Sequence, residues 1–228
     1  MGQIERNLET IRERIEASAK RAGRKPEEIT LVAATKGVAP ELIGEAISAG
    51  VRTVGENRVQ EALAKYDEIG DSVQWHMIGH LQTNKVGKAL DIFALIQSVD
   101  SWRLAEELSR RALSRGRVID VLVEVNTSGE ATKFGIEPDQ VIPFLERTSL
   151  LHGIRVRGLM TMGLFSSDIE IVRSSFSRLR RLKDAIERKG LAEIEQLSMG
   201  MTSDFEVAIE EGSNMVRIGT GIFGVRGR

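Results

Sequence analysis

Cysteine is absent from the 228 residues. That excludes disulfides and thiolate metal sites outright, and it is compatible with a reducing compartment. No apolar run approaches the ~20 residues that a membrane-spanning helix needs. From Met1 to Lys20 the chain is charged and periodic, so this stretch is neither a signal peptide nor a membrane span. An excess of charge of either sign is also missing: 32 Lys and Arg stand against 33 Asp and Glu, a net charge of −1. Without a basic patch, nucleic acid and anionic membrane are poor partners. We therefore expect a cytoplasmic location. No Ser- or Pro-rich stretch divides the chain either, and its length suits one large α/β unit, so residues 1–228 read as a single domain.

What is present is alternation. Ile4, Leu8, Ile11 and Ile15 recur at helical spacing, with Gly23 and Pro26 ending that helix. After it, short apolar runs and amphipathic segments alternate about eight times. Leu31–Ala34 reads as a strand buried on both faces of a parallel sheet, and Val118–Val125 is the clearest strand. The segment from Asp168 to Lys189 reads as a long helix. Ser203 and Glu206 stand at capping-box spacing before another. The expected fold is a single (β/α)8 TIM-type barrel with an extra N-terminal helix; an open doubly wound sheet is the alternative. Polar and glycine residues close most of the strands: Thr35-Lys36-Gly37, Gly55-Glu56-Asn57, Gly79-His80, Ser198-Met199-Gly200 and Gly219-Thr220-Gly221. In a barrel these would ring one mouth.

Lys36 is the residue around which a chemical reading forms. A lysine at the end of the first apolar strand should have a buried stem and an amine facing the mouth. A partly desolvated amine there can attack a carbonyl carbon and form a Schiff base, although most lysines after strands are solvated rim residues. Two anion cups follow on the last two strands, where barrels commonly bind phosphate. One is Ser198–Asp204, leading into a helix start. The other is Gly219-Thr220-Gly221, whose N–H groups and hydroxyl suit an anion. The longer run Gly219–Gly224 matches G-x-G-x-x-G but lacks the helix, strand and acidic residue that a dinucleotide site requires. His76 and His80 have zinc-like spacing on what reads as strand, with no third ligand, so a metal is not expected. Arg217 lies inside an apolar strand and must find a partner or face the mouth.

These segments together resemble the pyridoxal-phosphate-binding protein family of vitamin B6 homeostasis. The matching stretches are Val32–Lys36, Gly55–Arg58, Trp75–Lys85, Gly158–Met162, Ser198–Asp204 and Val216–Gly224. The resemblance implies the barrel of alanine racemase, with pyridoxal 5'-phosphate held as a Schiff base on Lys36. It further implies a phosphate cup of Ser198, Gly219 and Thr220, Arg217 facing the pyridine nitrogen, and Asn57 at the mouth; His80 receives no role. The function implied is a non-catalytic carrier and regulator of the cofactor, with apo-enzymes as recipients and a monomeric chain. A racemase of the same barrel type is the alternative. It is disfavoured here because no second domain follows the last strand and Tyr66 is the only tyrosine to serve as a second acid or base.

Overall fold

A computed structural model describes residues 2–130, 133–164 and 166–224. Its strands are β1 (Thr30–Ala34), β2 (Thr53–Glu56), β3 (Gln74–Met77), β4 (Leu95–Val99), β5 (Ile119–Glu124), β6 (Ile154–Met160), β7 (Gln196–Ser198) and β8 (Met215–Ile218). Each pairs in parallel with the next, and the sheet closes on itself. Closure is set by β1 against β8, with Thr30 opposite Met215, Val32 opposite Arg217 and Ala33 opposite Ile218. That pairing rules out the open doubly wound sheet. Helices α2 (Pro40–Ser48), α3 (Val59–Ile69), α4 (Val86–Ile92), α5 (Trp102–Leu113), α6 (Val141–Thr148), α7 (Ile169–Arg188) and α8 (Phe205–Glu210) lie between strands, and a short α9 (Thr220–Phe223) follows β8.

Side chains alternate across each strand, and this divides the core in two. Val32, Ile78, Leu95, Leu122, Met160 and Met215 fill the barrel interior. Ala33, Val54, Ile96 and Val121 point outward and pack beneath the helices. Full burial of a Leu or Ile side chain is worth about 1.5–3 kcal/mol, so both layers are needed to hold the closed sheet.

The N-terminal helix α1 (Gln3–Arg21) buries the stripe Ile4, Leu8, Ile11 and Ile15. It lies outside the barrel against α2, α8 and α9. Arg14 pairs with Glu206 at 2.8 Å and covers the Phe205 ring at 4.7 Å. On the other side Arg12 donates to the Ala49 carbonyl at 2.7 Å. The helix thus straddles the line where the first and last strands meet.

Two local expectations change. The cap of α8 is Asp204, not Ser203, and its carboxylate accepts the Met201 N–H at 2.6 Å. Glu206 is therefore free to reach Arg14 instead of closing a capping box. The first strand also ends at Ala34, two residues before Lys36.

Candidate cofactor-binding site

A basin of about 450 Å³ opens at the carboxyl ends of the strands. Asn57, Arg217, Gly219 and Thr220 line it together, with Ala34, Ile78 and Met162 as apolar wall. One side is rich in donors. Thr220 begins α9, and Thr202 lies across from it, its Oγ1 accepting the Thr220 hydroxyl and the Gly221 N–H, both at 3.2 Å. The N–H groups of Thr202 and Ser203 have no acceptor among the described residues. Open N–H groups and hydroxyls clustered this way suit an anion. The loop reaches this position through Gly200, at φ +95°. A Cβ there would stand 2.6 Å from the Ala208 Cβ and 2.9 Å from the Phe205 Cα.

Arg217 forms the floor. It projects from β8, is only 3% exposed, and is held by a chain of buried groups. Its Nη1 donates to Ser198 Oγ at 2.5 Å and its Nη2 to the Thr161 carbonyl at 2.8 Å. Ser198 Oγ itself donates to Gln97 Oε1 at 2.6 Å. Gln97 Nε2 in turn lies 3.0 Å from His76 Nδ1. Burial pushes the His76 pKa down to about 4, so the ring is neutral near pH 7 and Nδ1 accepts from the amide. Burial also lowers the Arg217 pKa to about 10, with Glu124 and Asp204 pulling the other way. The guanidinium is thus charged at neutral pH and keeps donors to spare.

Ser198 therefore sits differently from its expected place in a phosphate cup. It is fully buried, and its one proton is committed to Gln97. Leu197 packs in the outer core, so alternation turns Ser198 inward toward Arg217. It buttresses the arginine. The hydroxyls that line the basin's donor side belong to Thr202, Ser203 and Thr220.

Lys36 also departs from expectation: its side chain is exposed, not buried along a strand. The reason is a turn. Val38 N–H donates to the Thr35 carbonyl at 2.9 Å, and Gly37 has φ +66°. That is the pattern of a type II turn, with Lys36 at its first corner and glycine at the corner that needs positive φ. Lys36 makes no hydrogen bond or ion pair with any described residue. The turn rests on a buried ionic cluster. Lys65 of α3 donates to Glu56 Oε1 at 2.6 Å, to the Thr35 carbonyl at 2.7 Å and to Glu61 Oε1 at 2.8 Å.

Glu124, which ends β5, carries no signal that sequence reasoning used. It is 6% exposed, and while its carbonyl accepts the Ile136 N–H at 2.8 Å, its carboxylate makes no hydrogen bond or ion pair with any described residue. It lines a second chamber of about 270 Å³ with Lys133 and Phe134; Met162 borders both this chamber and the basin. Burial first, and the Asp100 carboxylate second, push its pKa up to about 7, against the pull of Arg217. The sign was visible as one carboxylate inside the apolar run Val121–Val125. His76 and His80 do not converge: His80 bonds to Asp100 at 2.7 Å and stacks on Phe134 at 4.2 Å. His152 is exposed.

Residues 4–227 match the family described as alanine racemase, N-terminal domain. A relative from Aquifex aeolicus, 46% identical over 220 residues and covering 96% of both chains, is named pyridoxal phosphate homeostasis protein. The chain belongs to this family. A pyridoxal phosphate homeostasis protein from Escherichia coli strain K12 is 39% identical, covering 99% of this chain and 98% of its own. Among solved structures, PipY of Synechococcus elongatus with PLP bound matches this family member at TM-score 0.86 and 34% identity, over 97% of this chain and 100% of PipY. An alanine racemase from Clostridium difficile 630 shares the fold at TM-score 0.78 and 18% identity, over 99% of this chain and 57% of the racemase.

Proposed function

We propose that this chain binds pyridoxal 5'-phosphate at the barrel mouth, takes its aldehyde on Lys36, and serves as a carrier in cofactor homeostasis without catalytic turnover. The observation that carries the reading is the basin itself. N–H and hydroxyl donors stand on one side, a buried guanidinium forms the floor, and Lys36, without a partner among the described residues, follows two positions after the basin-lining Ala34. When bound, pyridoxal phosphate supplies an aldehyde that condenses with a primary amine and a phosphate whose charge must be met. Thr220, Gly219 and the Thr202–Ser203 backbone would meet that charge, and Asn57 would orient the ring edge. Arg217 would face the pyridine nitrogen, with Ser198 holding it in place.

Arg217 also supports the carrier over an enzyme. A guanidinium donates and keeps its own proton, so it leaves a facing ring nitrogen unprotonated and weakens the ring as an electron sink. Delivery to apo-enzymes by a monomer in the cytoplasm fits this reading. The test is an absorbance titration of the purified protein with pyridoxal phosphate, then borohydride reduction and peptide mapping. The adduct should fall on Lys36, and Lys36→Ala should lose the spectral change; an adduct spread evenly over many lysines refutes the assignment.

One observation favours the racemase reading. Glu124, with its pKa near 7 beside the mouth, is suited to proton transfer at neutral pH. That reading requires amino-acid racemisation well above the rate of free pyridoxal phosphate, lost in both Lys36→Ala and Glu124→Gln. Carrier function requires its absence.

A further inference from the structure

Lys65 is 6% exposed, and all three of its protons are engaged. Its acceptors lead to both neighbours of Lys36. Thr35 accepts from Lys65 through its carbonyl and donates its hydroxyl to Glu56 Oε1 at 2.7 Å. Gly37 donates its N–H to the same Glu61 oxygen that Lys65 holds. One buried charge therefore grips the residue before Lys36 and the residue after it.

The cluster is costly if it serves packing alone. Glu56 Oε2 is buried without a hydrogen-bond partner among the described residues, and burial raises the Glu56 pKa against the pull of Lys65 and Thr35. Buried ion pairs often add no net stability over apolar side chains of equal volume; what they fix is geometry. The geometry fixed here is directional. Ala33 faces the outer core, and Thr35 is drawn the same way, toward α3. Lys36 comes next, at the first corner of the turn and two residues past Ala34, which packs against the barrel interior and lines the basin.

We propose that Lys65, Glu56 and Glu61 are positioning residues for Lys36, holding its turn so that the amine stands over the basin. A second consequence is selectivity. The Lys65 ammonium, saturated by three acceptors, is withheld from the aldehyde, whereas Lys36 has no partner among the described residues. This rests on the reading that Lys36 takes the aldehyde of pyridoxal phosphate.

The test compares the full-length wild type with Lys65→Met and Glu61→Gln. Each is mixed with pyridoxal phosphate, reduced with borohydride at successive times, digested and mapped by mass spectrometry. Affinity for inorganic phosphate is measured in parallel by calorimetry. The adduct should appear on Lys36 at least about tenfold more slowly in both variants, since small misplacement of a reacting group costs this much or more. The share of adduct on other lysines should rise, and phosphate affinity should stay at the wild-type value. A merely structural role would lower phosphate affinity along with the Lys36 rate. If Lys65→Met does not fold, Glu61→Gln, at a side chain 25% exposed, decides the matter alone. Folded variants that label Lys36 at the wild-type rate and share overturn the proposal. A wild-type adduct on some lysine other than Lys36 instead refutes the underlying assignment, so the two failures are distinct.

Discussion

Replacing Glu124 with glutamine should stabilise the protein, and only at neutral and alkaline pH. The carboxyl is buried at the end of β5, with Asp100 and Arg217 as the charges that act on it and Lys133 across the same chamber. Its pKa rises from an ordinary 4.5 to about 7 in the folded state. The native protein then holds a proton that the unfolded chain releases, so stability is highest below pH ~4.5 and falls as pH rises toward 7. At about 1.4 kcal/mol per pH unit, the full difference is roughly 3 kcal/mol. Glutamine has the shape of the protonated acid and cannot ionise. Urea denaturation of both proteins from pH 4 to pH 8 measures the effect. The advantage of Glu124→Gln should be near zero at pH 4, grow through pH 5–7, and level off above. A difference that stays flat across this range would refute the account of Glu124 as an uncompensated buried carboxylate.

Thr220→Val removes one hydroxyl from the donor side of the basin, and a hydrogen bond to a charged group is worth ~1.5–3 kcal/mol. Pyridoxal phosphate binding should weaken roughly tenfold or more, with pyridoxal little affected; equal losses would make the threonine structural. Ser198→Ala should behave differently, because it strips an acceptor from buried Arg217: calorimetry should show both ligands weakened, with stability lower by about 1–3 kcal/mol. Gly37→Ala forces a Cβ into φ +66°, which costs about 1–2 kcal/mol, readable as a lower urea midpoint with slower labelling of Lys36.

The barrel was legible because parallel strands buried on both faces leave apolar runs, and Met215–Ile218 is a strand with the bounds its residues suggest. The mouth was legible because strands end where polar residues begin. Side-chain direction was harder. Ser198 reads as an open hydroxyl until the register shows its neighbour Leu197 in the outer core. Lys36 reads as the end of a strand, although Gly37 already signalled a turn needing positive φ. Glu61 and Lys65 have the i,i+4 spacing of any solvated helical pair; nothing local says that this face of α3 is buried against β1 and β2. Glu124 is masked by its setting, because an apolar run such as Val121–Val125 reads as strand whatever its one carboxylate does.

The pairing of β1 with β8 brings residues nearly two hundred positions apart in sequence into contact. Lys36 follows the first strand; Arg217 lies on the last, and Thr220 follows it. A ligand that engages both therefore spans the one join in the sheet that no single covalent crossover makes. It would act as a rivet there, and its free energy would be added to that of barrel closure. Amide hydrogen exchange should reveal this as protection concentrated along β1 and β8 and beneath α1, in preference to the far wall around β4 and β5. The empty barrel would breathe along its seam, and a ligand bound across it would close it.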